Sequence, residues 1–251
     1  MARQALEESG DCADAYVLLA EAERDVSAAK ALYEEGVRAG ERALGPDRFE
    51  TETGHFWGVL DTRPYMRARE GLAHTAWELG EREAAIQHAR EMLRLNPGDN
   101  QGMRYVLVNW LLTEARDDDA WVLLQLYPDD ASAIWAYSRA LVTFRRQGEG
   151  READDALREA FETNPFVPTY MLGAMELPKR LPEALELGGP TEAHDYLAKA
   201  LRIWIDTPGA LDWFGRVVAE DLAGVMGVDE DGSEDDDGPG QGRSVSLLRP
   251  R

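Results

Sequence analysis

The sequence predicts an all-α fold, an α-α superhelix (solenoid) of stacked helical pairs with a C-terminal capping helical pair. Apolar residues recur at intervals of three and four through most of residues 1–222, which is the period of a helix face. Asn-Pro pairs end two of the segments, and their prolines, Pro97 and Pro165, lie 68 residues apart, or two periods of a ~34-residue helical repeat. Since one helical pair cannot bury its own apolar stripe, we expect neighbouring pairs to stack.

The clearest helical pair lies within residues 65–99. Pro64 suits a first helical turn, Gly80 permits a sharp turn, and Pro97 ends the second helix because proline cannot continue the hydrogen-bond ladder. The apolar stripes comprise Leu72, Ala76 and Leu79 on the first helix and Ala85, Ile86, Ala89, Met92 and Leu93 on the second. This pattern resembles one tetratricopeptide unit, so we predict a tetratricopeptide-like array.

A second pair is predicted upstream, in helices over residues 12–24 and 26–43. Gly45-Pro46 is a strong stop signal for the second of these helices. Residues 46–62 are then predicted to be a polar linker, with Phe56, Trp57, Val59 and Leu60 tucked against a neighbour.

Two further pairs are predicted downstream of residue 99. The first begins after Asp99-Asn100, which are good N-cap residues, and closes with a short helix over residues 120–126. The second begins after Asp129-Asp130, turns at Gly148 and ends at Asn164-Pro165. Residues 165–190 contain five prolines and are predicted to form an extended or irregular strap.

The last predicted helices, over residues 190–204 and from 207 to about 222, form the capping pair that repeat arrays require. The chain therefore divides into a helical repeat domain, residues 1–227, and a tail, residues 228–251. The tail is acidic, has almost no apolar content before its basic end at 243–251, and is predicted to be disordered. Two roles stay open for it: a solvating tail, or a basic end that docks on the repeat domain.

Charge and composition narrow the classes of binding partner that we expect. The 27 basic and 48 acidic residues give a net charge of −21, which repels the phosphates of nucleic acid and anionic lipid. We therefore expect no nucleic acid and no membrane partner, but a protein or peptide, with a basic one favoured by charge. The single cysteine, Cys12, suits a reducing compartment, and residues 1–10 lack the apolar stretch of a signal peptide, so we expect a cytoplasmic protein.

Three strings of residues resemble the suppressor-of-tumorigenicity-seven family, in this order and with helical pairs between them. They are CADAYVLLAE at 12–21, NPFVPTY at 164–170 and LPKRLP at 177–182. The resemblance covers roughly residues 10–215. It implies the tetratricopeptide-type architecture with which bacterial members are described, and it implies no catalytic residue or cofactor. Animal members carry membrane-spanning segments ahead of the equivalent of Cys12, and that feature does not carry over to the matched residues.

The sequence contains no convincing catalytic or metal constellation. No pair among His55, His74, His88 and His194 has the i, i+4 spacing of a helical metal site, and Cys12 has no cysteine partner. Neither a glycine-rich phosphate loop nor a nucleophile elbow occurs. Acidic pairs are typical of solvated turns and helix N-termini. We expect no catalytic residue, metal or cofactor; the alternative is an enzyme, or an enzyme's accessory subunit, that uses buried acidic residues.

The predicted function is a non-catalytic scaffold that binds a protein or peptide in the concave groove of the array. Inner positions on the first helix of each pair line such a groove, and the candidates are Arg67, Glu70, His74, Trp77, Tyr105, Asn109, Trp135, Ser138 and Arg145. Trp77 and Trp135 are the candidate aromatic anchors, whereas Trp110 and Trp204 are predicted to lie in the core. Tetratricopeptide domains that grip a chain-terminal carboxylate resemble one another in placing Lys and Asn where this chain has Glu70 and His74, so we do not expect binding of chaperone C-termini.

Overall fold

The computed structural model describes residues 2–178, 180 and 184–227, and every regular element within them is helical. The α-helices are α1 (Ala2–Glu8), α2 (Ala13–Glu21), α3 (Val26–Thr51), α4 (Arg63–Glu78), α5 (Arg82–Leu95), α6 (Met103–Thr113), α7 (Asp117–Leu126), α8 (Ala133–Gln147), α9 (Arg151–Thr163), α10 (Phe166–Met171), α11 (Pro190–Asp206) and α12 (Ala210–Gly227). Two 3₁₀ turns, Phe56–Gly58 and Leu60–Thr62, connect α3 to α4. The predicted all-α fold class is confirmed.

Consecutive helices pack as pairs, and the pairs pack on one another. The pairs are α2 with α3, α4 with α5, α6 with α7, α8 with α9 and α11 with α12. Contacts of α3 and α2 with α4, of α5 with α6, and of α7 and α6 with α8 join each pair to the next. A single apolar cluster runs through these contacts from Val17 to Val217. Trp110 and Trp204 belong to it, as predicted.

The connection from α3 to α4 differs from the predicted polar linker. Gly45 has φ 70° and ψ 163°, so the helix breaks there, but Pro46 starts a second helical segment that continues to Thr51. Proline is tolerated in this place because the first turn of a helix has no partner for its missing N–H group. Phe56 is fully buried and its ring lies 5.1 Å from that of Phe49, whereas Leu60 is exposed, contrary to expectation.

The proline-rich strap is also more ordered at its start than predicted. Phe166–Met171 form the short helix α10, which buries Val167 and Tyr170. Its two prolines, Pro165 and Pro168, lie at the N-cap and in the first turn, where they cost no hydrogen bond. The described residues from 172 to 189 form no helix or strand. Residues 179, 181–183 and the predicted tail, 228–251, lie outside the described residues.

The capping pair, α11 and α12, packs differently from the earlier helical pairs. Helix α11 packs against both α8 and α6, the first helices of two successive pairs, while α12 packs against α9. Its buried face carries Ala193, Tyr196, Leu197, Ala200 and Trp204. Helices α6 and α8 are therefore both in contact with the chain's own C-terminal region. Among the described residues, no helix has the length and hydropathy of a membrane span.

Glycines allow the first two pairs to approach closely. A Cβ atom at Gly71, in the middle of α4, would overlap the aromatic ring of Tyr33 on α3. A Cβ atom at Gly40, on α3, would lie 2.9 Å from Cβ of Tyr65 on α4. Because only glycine lacks this atom, the spacing between α3 and α4 depends on these residues.

Replacement of Gly71 with alanine tests this close approach. Alanine has the higher helix propensity, but we expect G71A to lower the free energy of unfolding by about 1–3 kcal/mol because the methyl group overpacks against Tyr33. Urea unfolding measures the change. The matched control is Gly224→Ala in α12, where a Cβ atom meets nothing within 4 Å and the change should be neutral or stabilising. A G71A protein as stable as the parent would contradict the packing described.

Candidate functional site

The α4 residues of the predicted groove are already bound to neighbouring elements. The guanidinium of Arg67 donates to both carboxylate oxygens of Asp14 on α2, with Nη2–Oδ1 and Nη2–Oδ2 distances of 2.6 and 2.7 Å. Glu70 accepts a hydrogen bond from the side-chain amide of Gln101. Burial raises the pKa of Glu70, and the hydrogen bond from Gln101 partly opposes this shift. Both groups join successive helical pairs, although Arg67 stays partly open to solvent.

Trp77 forms part of an aromatic stack rather than an open platform. Its ring stacks on Trp110 with 4.6 Å between centroids and an interplanar angle of 7°. His74 meets the same Trp110 edge-on at 5.6 Å. The guanidinium of Arg82 lies 3.9 Å from the centroid of Trp77. A partner that used the half-buried Trp77 as an anchor would therefore compete with a cation–π contact.

The prediction that Trp135 lines an open groove is wrong. Trp135 has 0% of its surface exposed, and the rings of Tyr105 and Tyr127 each meet it edge-on at 5.8 Å. Ser138, one turn further along α8, is 1% exposed. Among the described residues, Ser138 Oγ and Asn109 Oδ1 have no hydrogen-bond partner. These side chains face packed protein because α6, α8 and α11 meet here.

Arg145 fastens three helices instead of facing a ligand. Its Nη1 donates to the carbonyl oxygen of Leu112 at 2.7 Å and to Asp117 Oδ1 at 3.2 Å. Its Nε donates to Thr207 Oγ1 at 2.9 Å. The side chain thus ties the end of α6 and the start of α7 to the end of α11. Substitution of Arg145 would therefore disturb the packing of these helices and would not remove an exposed ligand contact.

Glu192 fastens the other end of α11. It is 5% exposed, and its Oε1 accepts from the backbone N–H of Ala133, the first residue of α8, at 2.9 Å. Its Oε2 accepts from Asn164 Nδ2 at 2.9 Å and from the N–H of Gly188 at 2.8 Å. A carboxylate at a helix N-terminus is favoured by the helix dipole and satisfies an orphan N–H group. Glu192 therefore caps α8 from a distant part of the chain.

Tyr105 belongs to a polar cluster around Arg104. Asp99 accepts from the backbone N–H groups of Met103 and Arg104 at the start of α6, although Gly102, and neither Asp99 nor Asn100, holds the N-cap position. Arg104 Nε and the Tyr105 hydroxyl each donate to Asp130 Oδ2 at 2.8 Å. Burial raises the pKa of Asp99. Burial alone would also raise the pKa of Asp130, but hydrogen bonds from Ser132 and Arg104 hold it below its usual range.

An open apolar cleft lies elsewhere, between α5 and α7 above α6. This α5–α7 cleft encloses about 840 Å³. Its floor residues Leu107, Leu111 and Leu123 are buried, whereas Val122 is 59% and Leu126 67% exposed on its wall. Helix α7 has 10 residues against 14 in α5, so a short second helix leaves this space beside it. The lining residues are Arg90, Leu93, Arg94, Pro97, Gly98, Leu107, Leu111, Asp119, Val122, Leu123, Leu126 and Tyr127.

A smaller basic hollow adjoins this cleft across α5. It encloses about 580 Å³ and shares Arg90 and Arg94 with the cleft. Arg69 and His88 also line it, and Arg69 Nη1 lies 3.3 Å from His88 Nδ1. Burial, together with the charges of Arg69 and Lys30, lowers the pKa of His88 to about 4. His88 is therefore neutral at pH 7 and accepts from Arg69.

Sequence reasoning missed this cleft. The sequence predicts only a short helix over residues 120–126, and no position of the repeat pattern marks Val122 or Leu126 as open. The available signal was the shortness of the helix that Pro128 ends, because a short second helix covers less of the pair beneath it. Among the described residues, no group of three or more His, Cys, Asp and Glu is placed to hold a metal ion.

Together these features define an all-α protein of packed helical pairs. Its predicted groove residues Trp135, Ser138 and Arg145 are engaged within the fold, and an apolar cleft is open on α5 and α7. A scan against models of protein families found no match.

Similarity to known proteins extends through most of the chain. A suppressor of tumorigenicity 7 protein-like protein from Rattus norvegicus is 30% identical over 236 residues, covering 84% of this chain and 42% of the relative. The human protein of that name is 29% identical, with 84% and 40% covered. Protein ST7 homolog from Drosophila melanogaster is 26% identical, with 84% and 44% covered. The chain belongs to the suppressor of tumorigenicity 7 family and spans about two fifths of these relatives' length.

Replacement of Glu192 with glutamine tests the capping role. Glutamine replaces one of the two accepting oxygens with an NH2 group, which cannot accept a hydrogen bond. A buried N–H donor that the carboxylate now satisfies would lose its acceptor, so we expect E192Q to lower the free energy of unfolding by about 1.5–3 kcal/mol. The urea midpoint should fall with an unchanged m-value. Glu162→Gln, at an exposed position of neighbouring α9, serves as the control and should be neutral. Equal stability of E192Q and the parent would rule out a buried carboxylate cap.

The lowered pKa of His88 predicts a pH dependence of stability. The unfolded chain has a histidine pKa of about 6.5, whereas the folded value is about 4. Between these values the unfolded state binds the proton, so stability falls as pH drops from 6.5 towards 4.

We expect His88→Gln to remove about 1–2 kcal/mol of this fall, since His88 is only partly buried. The measurement is urea unfolding at a series of pH values, and exposed His55→Gln is the control. Parallel pH profiles for the parent and His88→Gln would show that His88 titrates normally.

Proposed function

We propose that this chain is a non-catalytic scaffold, built as a tetratricopeptide-like array, that binds a protein or peptide partner in the α5–α7 cleft. One observation carries the proposal: the cleft has an apolar floor, a volume of about 840 Å³ and two largely exposed aliphatic side chains on one wall. Exposed apolar surface that is contiguous and concave is typical of interaction sites. The dimensions suit one face of a helix or an extended segment laid into a groove.

The packing of the inner face supports this location over the predicted groove. Trp135, Ser138 and Arg145 are engaged within the fold, and Trp77 is covered in part by Arg82. The α4 side, with Arg67, is the portion of that groove that stays partly open. It could widen a binding surface, but it offers no comparable apolar floor.

The state of the buried acids supports a non-catalytic role. Acid–base chemistry needs a carboxyl group that is free to exchange a proton with a substrate in a cleft. Asp99 and Glu192 instead accept hydrogen bonds from backbone N–H groups at helix starts, and Asp130 is bound by Arg104, Tyr105 and Ser132. A reducing, cytoplasmic location fits the single cysteine, Cys12, and is part of the proposal.

Paired substitution of Val122 and Leu126 with aspartate tests the cleft. Charges on its wall should reduce binding of a cleft partner by at least about tenfold, because each would be desolvated without a counter-charge. Crosslinking and affinity capture from the native cell, quantified against the parent protein, measure the loss. Both side chains are exposed, so the fold should survive, which far-UV circular dichroism and urea unfolding check.

The control variant is Leu60→Asp with Ile205→Asp, which changes two exposed aliphatic side chains outside the cleft. The control should capture the same partners as the parent. A cleft variant that is folded and still captures the full set of partners would overturn this location for binding.

A further inference from the structure

The margin of the α5–α7 cleft has a charge unlike that of the whole chain. The chain carries a net charge of −21, yet Arg90 and Arg94 stand on the α5 side of the cleft, and Arg69 lies in the basic hollow beyond them. The acids that line these two spaces are Asp119 and Glu91. Exposed charges interact mainly within a Debye length of about 8 Å at physiological ionic strength. The local arginines therefore govern contact with a bound segment more than the net charge does.

These arginines can accept a new partner at little cost. Arg90 pairs with Asp119 at 2.9 Å and Arg94 with Glu91 at 2.7 Å, and both arginine side chains are more than a third exposed. Pairs of this kind contribute only about 0–1 kcal/mol to stability, so an incoming carboxylate can replace one side of them. Arg69 is less available, because its side chain is 13% exposed and contacts His88 and Glu41.

The far end of the cleft differs in charge, because its arginine, Arg104, is only 19% exposed and is paired with Asp99 and Asp130. There Pro97, Gly98, Leu126 and Tyr127 are shared with a third hollow, whose charged lining residues are Arg104, Asp129 and Asp130. Asp130 is bound within the Arg104 cluster, whereas Asp129 is exposed. A segment bound in the cleft would therefore contact arginines on the α5 side and aliphatic side chains along the cleft wall. At the far end of the cleft it would meet Asp129.

We propose that the occupant of the cleft is an amphipathic helix of a partner protein that carries acidic side chains beside its apolar stripe, on the side that meets α5. This inference rests on the proposed function. The apolar stripe of the partner helix covers Val122 and Leu126, and the carboxylates of the partner helix pair with Arg90 and Arg94. The inference reverses the preference for a basic partner that the net charge alone suggests.

Two synthetic helical peptides test the inference. They share one leucine stripe at i, i+3, i+4 and i+7 over about 16 residues, roughly four turns. One peptide carries glutamate beside the stripe and the other carries lysine. Fluorescence anisotropy with the full chain at low salt should show the glutamate peptide binding at least about tenfold more tightly.

Charge reversal of the protein supplies the matched test. Arg90→Glu with Arg94→Glu should abolish or reverse this preference, whereas Arg151→Glu with Arg202→Glu, at two exposed arginines outside the cleft, should leave it intact. Equal or tighter binding of the lysine peptide, still lost on Val122→Asp with Leu126→Asp, would overturn the acidic partner and leave the binding cleft standing. Failure of both peptides to bind the folded parent would overturn the cleft as a helix-binding site as well.

Discussion

The seating of α11 on α6 and α8 is the contact on which the second half of the structure depends. Each helical pair has an apolar stripe that must be covered by a neighbour. In the second half of the chain, part of that cover comes from α11, which Glu192 fixes at its start and Arg145 at its end. The carboxylate satisfies an N–H group at the start of α8, and the guanidinium satisfies a carbonyl group at the end of α6. Arg145, which the repeat pattern places in the groove, is thereby used for folding.

The sequence predicted the local structure well for a physical reason. Helix periodicity, the Asn-Pro endings and the glycine turns act over a few residues, and they placed the helical pairs from residue 12 to residue 165 and the capping pair. Asp99 accepts N–H groups at the start of α6, as expected of a capping residue, although Gly102 occupies the N-cap position. The predicted linker and strap were wrong in part because Pro46 and Pro165 begin helical turns as well as ending helices.

The candidate site was harder to predict because its exposure is decided by distant residues. Trp135 was assigned to an open groove from its position in the repeat, but the rings of Tyr105 and Tyr127 enclose it. Arg145 was assigned to the same groove, but its partner Thr207 lies 62 residues away in the chain. Val122 and Leu126 are exposed because α7 is short. A periodic sequence pattern shows which residues share a helix face, but it does not show whether another element covers that face. Burial in a repeat array is thus a property of neighbouring pairs.

Hydrogen exchange of the backbone amides measures most directly whether α11 is part of the folded array. Amides that belong to one cooperative unit exchange at rates set by the same opening free energy. If α11 folds as one unit with α6 and α8, amides of residues 193–204 should exchange as slowly as those of α8. Amides of α11 that exchange about a hundredfold or more faster than those of α8 would contradict this account. Such a difference would mean that α11 opens while α8 stays folded.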